Sequence, residues 1–205
     1  MKRVLVLLSG LLLLAGCTTQ PVLTGPQQQA RWDQRQLVLE GIDHWDLYGR
    51  IALRAGDHGW QASLRWKRSG TSQSLALHGP IGTHPVLLEQ DAEGARLRDS
   101  EGRDLRDSNA GDLLQRVTGW RIPVASLKYW VRGLPAPGGE ERLQLDGRGR
   151  MAILQQQQWT VRFLSYGDFE GMQLPQKIDM THRPYDGAAT DLRLRLVVDS
   201  WNVGT

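Results

Sequence analysis

The sequence predicts a mainly β protein with some α-helix, and three observations carry that expectation. Apolar residues alternate with a period of two over many short runs, turn residues separate the runs, and two internal segments switch to helical spacing. Counting the runs gives about eleven strands. Short loops join most neighbours, so the sheet should be an antiparallel meander.

The N-terminus is a different kind of segment. Lys2 and Arg3 precede VLVLLSGLLLL at residues 4–14. That run is about half the roughly 20 apolar residues a spanning helix needs, but it suits a secretory signal. It ends in LAGC, residues 14–17, which looks like the bacterial lipobox, in which the cysteine is acylated and becomes the mature N-terminus. Cys17 is the only cysteine, so it has no disulfide partner within the chain. Thr18 follows it where lipoproteins retained at the inner membrane carry Asp, which implies the inner leaflet of the outer membrane. The expected organisation is a signal peptide at 1–16, a lipidated flexible tether at 17–30 rich in Pro, Gly and Gln, and one domain at 31–205. Cleavage before Cys17 removes Lys2 and Arg3, so the formal charge falls from +3 to 3 − 2 = +1. Scattered arginines and an export signal give a nucleic-acid role neither footprint nor compartment.

Within the domain, a weak helical pattern runs from residue 27 to about 42, with Trp32, Val38, Leu39 and Ile42 as its apolar content. Clear strands follow. In WQASLRWK, residues 60–67, Trp60, Ala62, Leu64 and Trp66 share one face and polar residues the other. The same alternation appears at Leu47–Gly49–Ile51–Leu53, at Trp159–Val161–Phe163 and at Leu192–Leu194–Leu196–Val198, with turn signals at residues 57–59, 69–70, 93–94, 146–147 and 184–187. In NAGDLLQRVTGW, residues 109–120, Leu113, Leu114, Val117 and Trp120 recur at helical spacing behind a candidate N-cap, Asn109. Leu127, Trp130, Val131 and Leu134 form a second amphipathic stripe, with Pro123 early and Gly133 and Pro135 ending it. A closed barrel of about eight strands fills itself with side chains, whereas about eleven leave a cavity or need helices to plug it. One strongly curved sheet with helices across its open side satisfies the pattern; a plain α+β domain with a solid core satisfies it too.

One loop is odd. GPIGT, residues 79–83, holds Ile81 among Gly79, Pro80 and Gly82, where turns normally meet water. Single exposed apolar residues are common, so an Ile folded back onto the sheet is one reading.

Several blocks carry a family resemblance: WDLYGRIALR at 45–54, GPIG at 79–82, GWRIPVASLKYWVRGLP at 119–135, WTVRFLSY at 159–166, Leu174-Pro175, and the terminal strand ending at Trp201. Together they resemble LolB, the outer-membrane lipoprotein receptor family, over nearly the whole mature chain. The resemblance implies an unclosed antiparallel β-barrel with an α-helical lid enclosing a hydrophobic cavity. It implies a monomeric receptor, lipid-anchored through Cys17 and facing the periplasm, that accepts acylated lipoprotein cargo from the periplasmic carrier LolA and inserts it into the outer membrane. It also implies a membrane-insertion loop at Gly79, Pro80, Ile81 and Gly82. The family usually has Leu at the position of Ile81, so the identity departs while the apolar character stays.

Cavity or lid candidates are Trp60, Leu64, Trp66, Leu75, Leu77, Leu127, Trp130, Val131 and Leu194; each also reads as ordinary core. No cofactor is expected. The chain lacks G-x-S-x-G and H-E-x-x-H, so an enzyme is not expected. His44, His58, His78, His84 and His182 are scattered; His78 and His84 flank the loop but lack a third ligand, so no metal site is expected. A lipid-anchored structural subunit of an envelope assembly, with no ligand cavity, is the alternative function.

Overall fold

The alternating runs become one eleven-stranded antiparallel sheet in the computed structural model, in which residues 25–79, 85–183 and 191–204 are described. Chain order is α1 (Gly25–Glu40), β1 (His44–Ala55), β2 (His58–Ser69), β3 (Ser72–His78), β4 (Val86–Gln90), β5 (Ala95–Asp99), β6 (Asp104–Asp107), α2 (Ala110–Thr118), α3 (Val124–Trp130), β7 (Glu141–Leu145), β8 (Met151–Gln156), β9 (Trp159–Phe169), β10 (Met172–His182) and β11 (Leu192–Gly204).

The strand order is β6-β5-β4-β3-β2-β1-β11-β10-β9-β8-β7. Two meanders, β1 to β6 and β7 to β11, are therefore joined by the pairing of the first strand with the last. The sheet ends at β6 and β7, which do not pair with each other, so the barrel is unclosed. The chain between these two edges is α2 and α3, so the helices cross the open side because connectivity leaves them there.

Register explains the apolar inner face. Trp201, Leu47, Trp66, Leu75, Leu88, Leu97 and Leu105 are successive cross-strand partners from β11 to β6. A second row runs Leu143, Leu154, Val161, Met180, Leu194, Leu53 and Trp60, from β7 to β2. Period-two alternation puts each row on one side, and pairing makes it continuous. Trp45 stands beside Trp66 and Trp201 with ring centroids 5.2 Å apart in each case and edge-on geometry. At Gly49 the register with β11 slips; a Cβ there would lie 2.3 Å from the Val197 carbonyl oxygen, so only glycine lets the two backbones approach.

The helices follow their local signals. Asn109 is extended and its side chain accepts a bond from Asp112 N at 2.9 Å, capping α2; Gly119, at φ 77°, closes it with its N–H on Gln115 O. α1 begins at Gly25, so residues 25–30, expected as tether, are helical. Its hold on the domain is specific: Trp32 and Leu39 are buried, and Gln28 Nε2 donates to Asp146 O at 2.6 Å. Gly149 lets the β7–β8 turn approach, since a Cβ there would sit 2.7 Å from Arg31 Cβ. The buried apolar residues form one cluster spanning Trp32 to Trp201, so the chain from Gly25 onward carries a core of its own.

Candidate functional site

The site begins with the concave, apolar face of the open sheet. Leu64 and Leu77 are cross-strand partners, as are Trp66 and Leu75 and as are Leu53 and Leu194. Leu64, Trp66, Leu75 and Leu194 are buried in the central cluster, and half-buried Leu77 packs against it. Trp60, at the end of its row, remains 37% exposed. From the lid, Leu127, Trp130, Val131 and Leu134 join the same cluster. Trp130 lies 6.0 Å from the Trp159 ring.

The inner face is covered in this state. Strand and lid side chains occupy it; of two concavities of about 800 and 1070 Å³, both rich in polar residues, the larger also touches Leu53, Trp60, Met180 and Leu194 of the second row. The expected hydrophobic chamber is thus filled by its own apolar side chains, and α2 and α3 sit on top of it.

Besides its buried apolar side chains, the lid has polar fastenings that sequence reading missed. Gln156, buried at the end of β8, accepts from Trp130 Nε1 at 3.0 Å and from Ala136 N at 2.9 Å, and donates to Ala136 O at 2.8 Å. Its amide imitates a strand partner for the chain leaving the lid. Ser126 Oγ donates to Gln157 Oε1 at 2.7 Å. Arg132, only 3% exposed, donates through one NH group to Leu39 O at 2.9 Å and Ile42 O at 2.8 Å. Burial, and then the Arg68 charge, push its pKa down from the ordinary arginine value, yet a guanidinium stays protonated. It sits where the carbonyl end of α1 favours a cation. One residue therefore ties α1 to the lid. The available signals were an Arg inside an apolar run, VRGLP, and a Gln of inward parity in the 155–158 run QQQQ.

The lid turns sharply after Arg132 because Gly133 adopts φ 81°; a Cβ there would meet Pro175 Cγ at 3.2 Å. Beneath it, Tyr166 donates to Met151 O at 2.6 Å, and burial pushes its phenol pKa up. Arg150 lies over its ring at 4.3 Å.

Of the expected loop, Gly79 follows β3, while Pro80, Ile81 and Gly82 lie outside the described residues, as does Cys17. His84 is outside them too; among the described residues no group of three or more His, Cys, Asp or Glu is placed to hold a metal. No helix among the described residues is long and apolar enough to cross a membrane.

The family model of the outer membrane lipoprotein LolB matches residues 43–201, from the start of β1 into β11. The chain belongs to this family. It is 37% identical to the outer-membrane lipoprotein LolB of Nitrosococcus oceani, covering 98% of both chains. It is 31% identical to that of Pseudomonas fluorescens, over 97% of this chain and 95% of the relative. Among solved structures, a LolA superfamily protein from Nitrosomonas europaea shares the fold, with a TM-score of 0.53 at 13% identity over 89% of this chain and 94% of that one. This member serves lipoprotein localisation at the outer membrane.

Proposed function

We propose that the protein is an outer-membrane receptor, anchored by acylated Cys17, that accepts lipoproteins from the periplasmic carrier LolA, shelters their acyl chains against the inner face, and inserts them into the inner leaflet. The observation that carries the reading is the construction of the lid. An apolar face of two continuous rows is covered by a segment that joins neither edge of the sheet as a strand and is held by its own apolar side chains and a few side-chain hydrogen bonds. Family membership supports the same reading.

The physical need is large. Each acyl CH₂ leaving bilayer for water costs about 0.8 kcal/mol, so cargo with several long chains faces tens of kcal/mol if it crosses water bare. Apolar walls replace bilayer contact during transfer. Because the inner face is filled in the closed state, uptake requires the lid to swing away, carrying Leu127, Trp130 and Val131 out of contact with the sheet and leaving Trp60, Leu64, Trp66, Leu75, Leu77 and Leu194 for the chains. Direction needs only rising affinity from carrier to receptor to membrane. Cofactors and covalent steps have no part in it.

Ile81, in the loop that follows Gly79, acts at delivery. Burial of one Ile stabilises by only about 1.5–3 kcal/mol, far less than an acyl anchor, so it does not serve to attach the protein. It enters the lipid and eases cargo chains out. Ile81→Glu keeps the fold and still accepts labelled lipoprotein from loaded LolA, yet fails to pass it to vesicles; unchanged delivery refutes the role. A filled interior is also what a structural subunit would have, and carrier-to-receptor transfer separates the two, since a scaffold takes no cargo.

A further inference from the structure

Residues of outward parity supply the arginine-rich wall of the concavity of about 1070 Å³, whose charges do not balance and which also touches Leu53, Trp60, Met180 and Leu194. Its lining includes Arg54, Arg162, Arg183, Arg193 and Arg195 but a single carboxylate, Asp179. Register shows how they gather. Arg162, Asp179, Arg195, Ala52 and Gln61 are successive partners across β9, β10, β11, β1 and β2. The next row is Thr160, Thr181, Arg193, Arg54 and Gly59. Small residues between long ones make the floor and walls.

Asp179 is already occupied, holding Arg195 through two bonds of 2.6 Å. Arg183 reaches Asp191 at 3.9 Å. Arg54 and Arg193 stand directly opposite each other on β1 and β11, and neither they nor Arg162 have an ion pair among the described residues. Like charges directly opposite on paired strands are destabilising, and an anion between them removes that repulsion. The concavity continues, through shared Ala52, Gln61 and Arg195, into a smaller one of about 370 Å³ that reaches His78 and Gly79. One continuous concave surface thus runs from Gly79, at the end of β3, to the β1–β2 hairpin, with the arginines that lack ion pairs toward the hairpin.

We propose that this arginine face binds the phosphate groups of anionic phospholipids at the membrane surface, orienting the open barrel while the loop engages the lipid. This rests on the receptor reading, which puts that loop against the membrane. Charge complementarity favours a headgroup layer: guanidinium forks match phosphate oxygens bidentately, and a planar array of anions suits two parallel rows of cations on one sheet face.

The test uses the chain from Gly25 onward, so that no acyl anchor masks the interaction, with vesicles of phosphatidylcholine alone or containing one third phosphatidylglycerol. Wild type should co-sediment with the anionic vesicles only, and lose binding in high salt. Arg54→Gln with Arg193→Gln should weaken binding by roughly tenfold or more, with a thermal midpoint unchanged or raised and cargo uptake from the carrier intact. Arg142→Gln with Arg148→Gln, which removes equal charge elsewhere, should bind as wild type. Equal binding by the Arg54/Arg193 double variant, equal weakening by both double variants, or no preference of wild type for anionic vesicles overturns the proposal. So does a double variant that binds vesicles normally but receives cargo poorly, which would assign the face to an acidic protein partner. Failure of wild type to take acylated cargo would instead count against the receptor reading.

Discussion

Gln156 shows how much of the lid depends on one buried amide. Three bonds to Trp130 and Ala136 converge on it, and a buried donor or acceptor left unmet costs about 1–3 kcal/mol. Gln156→Leu conserves bulk but strands those groups, and urea unfolding should show a loss of about 2–3 kcal/mol. Gly49 fails differently: with 2.3 Å to the Val197 oxygen, Gly49→Val forces the β1–β11 join apart, and denaturant titration should show a loss of about 3 kcal/mol or failure to fold. Asp146 carries a pH signature. Burial works against its charge, but the side-chain bond from Arg150 at 2.8 Å and the backbone N–H groups of Arg150 and Arg148 outweigh it, so its pKa lies below the ordinary 3.8. A depressed carboxyl contributes stability above its unfolded pKa and loses it as pH falls through the folded one. The stability gap between wild type and Asp146→Asn, measured by denaturation, should be full at neutral pH and close below about pH 4.

Among the elements, the lid is the one that the receptor account requires to open most readily. α3 has seven residues, no side-chain N-cap, and Pro123 ahead of it, so its persistence depends on tertiary contacts: burial of Val124, Leu127 and Trp130, the bonds to Gln156 and Gln157, and the reach of Arg132 to α1. Native-state hydrogen exchange should therefore show α3 amides opening well below the global unfolding free energy, with the centres of β1 and β2 opening only globally. Arg132→Met should speed amide exchange both at the C-terminal end of α1 and in α3, because one side chain ties them. The elements differed in how plainly sequence announced them. α2 was readable to its cap because Asn109 and Gly119 are local signals. α1 was half-readable: its apolar positions are sparse, and what holds it, Gln28 on the β7–β8 turn and the gap left by Gly149, is a long-range contact that no local period encodes. The stripe of α3 was clear, but Val131 and Leu134 are buried beyond the helix end at Trp130, because Gly133 turns the chain back onto Pro175.

At the scale of the whole molecule, alternation told which face of each strand is apolar, while register made those faces into two rows, and register between β1 and β11 depends on residues almost the whole chain apart. The eleven strands were countable from periodicity; their unclosed order followed from family resemblance. Lid-fastening groups stayed hidden because a Gln or Arg in an apolar run reveals its partner only in three dimensions. The arginine face stayed hidden for the same reason: Arg54 and Arg193 are neighbours only through strand pairing. Closed, the molecule covers its apolar face with its own lid. In use, the receptor account requires that face to trade lid contacts for acyl chains, with α3 displaced.

The most direct test of that exchange is tryptophan quenching by a triacylated peptide whose chains carry bromine. Trp45, Trp66, Trp130, Trp159 and Trp201 are all buried at the inner face or lid, so chains lodged there should quench the fluorescence saturably, with unlabelled lipopeptide competing and α3 amides exchanging faster. Unchanged fluorescence at saturating peptide, with α3 as protected as before, would contradict the account.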